Sequence, residues 1–157
     1  MATSLTQQIS DCVQDASMHY HHHRLVLVVG PAQSGRTQAL RDLNAKEEWP
    51  LVNLNLKLSE RLLELTVSQR RRRTDRIVKE IVESTSDELV MVDNLEMLFH
   101  PELKQDPLRV LQRLSRNRII VASWRGTYHD STLTCASPSH PEYRRYEEPD
   151  ALIICST

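Results

Sequence analysis

The sequence predicts an α/β three-layer sandwich on a mainly parallel, five-stranded sheet, and three observations predict it. Strand-like apolar runs alternate with amphipathic helical segments along the 157 residues. The first run, residues 25–29, shows no polar alternation, as expected of a parallel strand buried on both faces. Glycine is scarce: average usage of about 7% gives roughly eleven in a chain of this length. This chain has 3, and two of them, Gly30 and Gly35, directly follow that run. A chain so sparing of glycine spends it where the backbone needs freedom a side chain denies.

The elements follow in order. Residues 1–24 read as a leading helix and loop, with Leu5, Ile9, Cys12, Val13 and Ala16 at helical spacing. His19, His21, His22 and His23 lack a Cys or carboxylate at metal-ligand spacing and read as an exposed turn. Residues 24–29 form the first strand, 30–35 a loop, 36–45 a helix and 51–54 a second strand. Leu58, Leu62 and Leu65 mark one amphipathic helix, and Ile77, Val78, Ile81 and Val82 another. Arg70, Arg71, Arg72 and Arg73 separate the two. Residues 88–92 form a third strand ending at Asp93. Asp106 caps a helix that has Pro107 at its first position and Leu108, Leu111 and Leu114 on one face. Residues 118–122 are a fourth strand and 151–155 the last. Between them, residues 126–149 are polar and contain Pro138, Pro141 and Pro149, and they read as an irregular insertion with room for a hairpin. No repeat or linker divides the chain, so residues 1–157 read as one domain.

Composition narrows the function. Lys plus Arg is 20 and Asp plus Glu is 21, a net charge of −1, which disfavours a wholly basic nucleic-acid binder. No apolar run approaches the roughly 20 residues of a membrane span, and no secretory leader is visible. The three cysteines, Cys12, Cys135 and Cys155, form no C-x-x-C pair, and a reducing cytoplasm is expected. No serine lies in G-x-S-x-G and no cysteine has a partner signature, so nucleophilic hydrolysis has no support. His129, Asp130 and His140 fall in the insertion and read as surface residues.

The first strand runs directly into Gly30-Pro31-Ala32-Gln33-Ser34-Gly35-Arg36-Thr37 and then into a helix. This resembles the Walker A phosphate loop, G-x-x-x-x-G-K-[ST]. Backbone N–H groups from Gln33 to Thr37 would wrap a phosphate at the positive end of the helix. The candidate nucleotide-binding set is Gly30, Gln33, Ser34, Gly35, Arg36, Thr37 and Gln38, with the Thr37 hydroxyl on Mg²⁺. Arg36 stands where the motif has Lys. A planar fork replaces a thin point charge, so nucleotide binding is expected to survive better than fast hydrolysis. Leu89-Val90-Met91-Val92-Asp93 has the Walker B form, and Asp93, on a strand beside the first, would complete the Mg²⁺ shell. Asn94 occupies the place of the water-activating Glu, and Glu96, two residues on, is the candidate substitute. Ser123 ends the fourth strand at the sensor position of AAA+-type ATPases, with Arg125 a second candidate.

Further blocks narrow the resemblance: Asn53-Leu54-Asn55-Leu56, Leu58-Ser59-Glu60-Arg61-Leu62-Leu63-Glu64-Leu65, Val92-Asp93-Asn94-Leu95-Glu96-Met97-Leu98-Phe99, Pro101-Glu102-Leu103-Lys104-Gln105-Asp106-Pro107-Leu108, Leu111-Gln112-Arg113-Leu114-Ser115-Arg116-Asn117-Arg118 and His140-Pro141-Glu142-Tyr143-Arg144-Arg145-Tyr146. Together with the two Walker elements they resemble the BrxF family, small P-loop proteins of type 3 BREX bacteriophage-defence systems. The resemblance spans about residues 25–155. It implies a P-loop NTPase of AAA+-like type without a lid domain, binding ATP and Mg²⁺ and working beside the other BREX components, the large BREX ATPase above all. The catalytic candidates are then Asp93, Glu96 and Ser123.

Two arginine clusters suggest partners. Arg70, Arg71, Arg72 and Arg73, with Arg76, offer a DNA-phosphate contact or a neighbouring subunit's nucleotide contact. Arg113, Arg116 and Arg118 are candidates to reach a neighbour's γ-phosphate in a homo-oligomer. Two functions remain open: an ATP-binding, weakly hydrolysing regulatory subunit, or a non-catalytic adaptor whose phosphate loop is structural.

Overall fold

The structure is a computed structural model that describes residues 4–18, 23–85, 87–135 and 143–156. Its elements are α1 (Leu5–Met18), β1 (Leu25–Gly30), α2 (Arg36–Glu47), β2 (Leu51–Asn53), α3 (Leu54–Leu62), α4 (Val67–Glu83), β3 (Leu89–Asp93), α5 (Pro107–Leu114), β4 (Ile119–His129), β5 (Thr132–Cys135), β6 (Arg144–Glu147) and β7 (Leu152–Cys155), with short 3₁₀ turns at Glu96–Phe99 and Pro101–Leu103. The main sheet has the order β2-β3-β4-β1-β7, and every pairing in it is parallel. The α/β three-layer sandwich and its five parallel strands are therefore as the alternating pattern predicts.

All six residues of β1 are buried, because β4 and β7 flank it and helices cover both faces. Its side chains alternate between two cores. Leu25, Leu27 and Val29 pack with Leu58 of α3, Val78 of α4 and Leu111 of α5. Val26 and Val28 pack with Ile9 and Val13 of α1 and Leu40 and Leu43 of α2. The leading helix is thus part of the sandwich, with Ile9 fully buried against the sheet.

Three sequence expectations change. The arginine run does not separate two helices; Arg70 to Arg73 lie inside α4. A capping box, with Thr66 Oγ1 accepting from Gln69 N–H and Gln69 answering at Thr66 N–H, starts that helix earlier than the apolar pattern suggests. Asp93 is not on a strand adjacent to β1, because β4 lies between β1 and β3. Chain order does not set spatial order in a parallel sheet, whose crossovers can skip a position.

The third change concerns residues 126–149. Their described part is a regular antiparallel ribbon: β4 continues past the main sheet, pairing Gly126 with Cys135 and His129 with Thr132, and β6 pairs with β5. Asp130 and Ser131 turn the hairpin with φ of 49° and 60°, as a two-residue primed turn requires. Residues 136–142, His140 among them, and residues 19–22 lie outside the described residues. His129 and Asp130 are exposed, as expected.

Trp124 locks the ribbon to the core. It is fully buried, meets Phe99 edge-on at 5.0 Å and Tyr146 at 5.9 Å, and donates from Nε1 to Thr134 O at 3.0 Å. Tyr146 donates its hydroxyl to Asp106 Oδ1 at 2.8 Å. Burial, and then that carboxylate, push its phenol above its ordinary range. Asp106 caps α5 as the sequence predicts, accepting from Arg109 N–H. Trp124→Ala should lower stability by about 3–5 kcal/mol through the cavity it leaves. Urea denaturation checks this, and a loss under about 1 kcal/mol would show that the ribbon is not anchored there.

Candidate functional site

Parallel sheets place ligands at the carboxyl ends of their strands, and the motif residues collect there. β1 ends at Gly30, the loop crosses the strand end, and α2 begins at Arg36. Gln33 (φ 59°) and Gly35 (φ 90°) take left-handed conformations. Gly35 is the N-cap of α2 and no side chain caps the helix. The first-turn amides therefore face a depression of about 250 Å³ lined by residues 33–38 and Arg41. An uncapped helix start with the dipole's positive end is an anion-binding arrangement.

The loop is held against the end of β7. Ser156 N–H donates to Val29 O at 2.8 Å, and the Ser156 and Ser34 hydroxyls meet at 2.7 Å. A Cβ on Gly30 would lie 2.1 Å from Ser156 Oγ and 2.7 Å from Ser34 Oγ, so only glycine lets the loop close on β7.

Arg36 does not extend along the depression. Its guanidinium donates through Nη1 to Ser123 Oγ at 2.5 Å and through Nη2 to Pro31 O at 3.3 Å. Its Nε–H is buried with no partner among the described residues, an arrangement that typically costs about 1–3 kcal/mol. Burial draws this guanidinium below its ordinary pKa; Asp93 and Glu96 oppose that shift and Arg125 adds to it. Arg36 and Asp93 therefore face one electrostatic environment, although β3 is not a neighbour of the strand that leads into the loop.

Asp93 ends β3, only 5% exposed, and its Oδ1 accepts from Asn94 N–H at 2.9 Å. Ser123, 2% exposed, lies on the intervening strand β4, opposite Val28 of β1. Glu96 is exposed on the following turn. Its Oε2 accepts from Asn55 Nδ2 at 3.1 Å, while Asn55 Oδ1 accepts from Met97 N–H at 2.8 Å. Sequence reasoning assigned no role to Asn55 or Ser156. The strand-end rule was the available signal for both, since each follows the last residues of a parallel strand.

Magnesium can be tested against this donor set. Among the described residues no group of three or more His, Cys, Asp or Glu forms a metal cluster. One hydroxyl from Thr37 and one carboxylate from Asp93 nevertheless suit Mg²⁺, which keeps most of its ligands as water and phosphate oxygens. The donor set fits a nucleotide-borne Mg²⁺.

The arginine clusters lie elsewhere. Four consecutive residues of a helix point in different directions. Arg70 Nε donates to Leu62 O and Leu65 O, and Arg71 Nε donates to Glu102 O. Arg72, Arg73 and Arg76 are exposed and close together on α4, with Arg76 paired to Glu80 at 3.4 Å. Arg113, Arg116 and Arg118 lie at the amino end of β4, the end of the sheet opposite the phosphate loop. Arg113 pairs with Asp75 at 3.6 Å.

No family model matches the chain, and no curated protein matches it. Among solved structures, it is similar to that of C. elegans PCH-2, with 14% identity over 98% of this chain and a TM-score of 0.47. The chain spans 42% of that protein's length. In the strand order β2-β3-β4-β1-β7, a glycine-bounded loop joins β1 to α2. Among the described residues no helix is long and apolar enough to cross a membrane.

Gly30→Ala should destabilise the protein by about 1–3 kcal/mol, because its Cβ also lies 2.9 Å from the Ser156 backbone oxygen and relief requires moving main chain. A thermal melt indistinguishable from that of the parent would mean that the loop is not closed on β7.

Proposed function

We propose that this protein is an ATP-binding, AAA+-like subunit of a bacterial BREX anti-phage defence system, a weak ATPase whose nucleotide state controls assembly. The observation that carries the nucleotide reading is the side-chain-uncapped start of α2, which opens on the depression lined by residues 33–38 and Arg41. The defence assignment rests on the sequence blocks that resemble BrxF, and with it go the large BREX ATPase as partner and a cytoplasmic location.

In this reading the amides of residues 33–38 hold the phosphates and Arg36 neutralises them. Thr37 and Asp93 hold Mg²⁺, which when bound offsets charge on the β- and γ-phosphates. Glu96, oriented by Asn55, or Ser123 positions the attacking water. Turnover is slow because Asn94 cannot take a proton where a carboxylate would, and Glu96 is tied back to Asn55. One observation favours the adaptor alternative: Arg36 is engaged by Ser123 and Pro31, which suits a loop that binds nucleotide without processing it.

Closure over the γ-phosphate falls to another protomer or to the partner ATPase. Arg113, Arg116 and Arg118, at the far end of the sheet, can reach only a neighbour's nucleotide. This implies head-to-tail association. The exposed Arg72, Arg73 and Arg76 are the alternative donors, or a DNA-phosphate contact in which Arg70 and Arg71 have a smaller share because they are engaged internally.

Calorimetry should show MgATP binding with thermal stabilisation of the protein. Absence of both would remove the nucleotide reading. Arg36→Lys should raise phosphate release at least about tenfold, and Asp93→Ala should abolish it; equal rates in the two variants would assign the activity to a contaminant. In sedimentation, self-association should strengthen with ATP over ADP and weaken when Arg113, Arg116 and Arg118 are neutralised. A protein that stays monomeric with ATP at low salt, alone and with the large ATPase, would overturn the assembly reading.

A further inference from the structure

We propose that Arg36 and Ser123 form a latch across the phosphate loop, so that nucleotide binds only as the Arg36–Ser123 bridge breaks. This rests on the nucleotide reading above and adds a regulatory step to it.

The geometry limits the guanidinium. Its Nη1 is committed to Ser123 Oγ and its Nη2 to Pro31 O, and its Nε is enclosed. A two-pronged grip on phosphate needs two parallel N–H groups on one edge of the fork. The edge that includes Nε is shut in by protein. Nη1 and Nη2 each already serve a protein oxygen. A phosphate gripped by both Nη groups therefore competes with Pro31 and Ser123 for the head of Arg36. The exchange favours phosphate where it is present, because two neutral acceptors are replaced by a charged one. A lysine could not span both partners with a planar fork, so the latch is particular to arginine at this position.

Breaking the bridge also frees the Ser123 hydroxyl, on the strand between β1 and β3 and opposite Val28. The side chain that detects phosphate is thus the one that holds the serine back. Ser123 becomes available for the γ-phosphate or for water only once the loop is filled. The apparent affinity of the loop is lowered by the fraction of molecules in which the latch is closed.

The test titrates the full chain with MgATP and MgADP by calorimetry. Ser123→Ala should bind both nucleotides on the order of tenfold tighter than the parent, the worth of one hydrogen bond to a charged donor. Ser123→Thr, which keeps the hydroxyl, should bind like the parent. If Ser123 serves only as a ligand of the γ-phosphate, Ser123→Ala weakens ATP and spares ADP, and the latch is refuted. Equal affinities in the parent and Ser123→Ala refute the latch alone and leave the nucleotide reading standing. Absence of binding by the parent and by every variant removes both. A second measurement uses the unmodified protein: the Arg36 Nε–H signal in ¹⁵N NMR should be protected from exchange, and MgADP should shift it and speed its exchange. A signal unmoved by saturating MgADP overturns the latch.

Discussion

Ser156 N–H donates to the Val29 carbonyl at 2.8 Å, and the Ser156 side chain occupies the space a Cβ on Gly30 would need. This closure of β7 on the end of β1 is the constraint on which the rest of the site depends. It fixes where the strand stops and brings the Ser34 hydroxyl within 2.7 Å of Ser156. It also sets the direction in which the loop leaves for α2. The first turn of that helix then faces the strand ends with its amides uncapped. A bulkier residue at position 30 would lift the loop, and with it the helix dipole, away from Ser123 and Asp93.

The electrostatics follow from that frame. Burial of the Arg36 head lowers its pKa, and the carboxylates of Asp93 and Glu96 compensate. The cation is kept inside the site by Ser123 and Pro31, and its buried Nε keeps the arrangement short of full satisfaction. A polar network with one member unpaired is poised for exchange with a better acceptor. The proposed latch rests on these residues.

On the other side of Ser123, β4 runs on into an antiparallel ribbon before the chain returns to the main sheet as β7. Trp124 is the next residue, and its ring and indole N–H tie β5 and β6 to the core through Phe99, Tyr146 and Thr134. Arg144 donates to Gln105 O at 2.7 Å and pins β6 to the segment that leads into α5. Among the described residues this extension is built of strands alone.

The sequence by itself determined what depends on neighbours a few residues apart. The buried run of β1, the glycine spacing of the loop, the Asp106 cap with Pro107 and the apolar strand ending in Asp93 are local patterns. They are legible because a strand's burial, a helix start and a glycine's φ are set within one or two turns of chain. The resemblance to BrxF rests on such blocks as well. The tertiary structure alone decided the rest. It placed β4 between β1 and β3, so that Ser123 and not Asp93 lies nearest the loop's strand. It turned Arg36 inward and joined Ser34 to Ser156 across 122 positions. It folded the polar stretch after Arg125 into a ribbon whose turn, Asp130-Ser131, lacks the glycine that marks such turns in a sequence. These features share one cause: each pairs residues far apart in the chain, and which distant partners meet is set by the packing of whole layers, which no local pattern encodes.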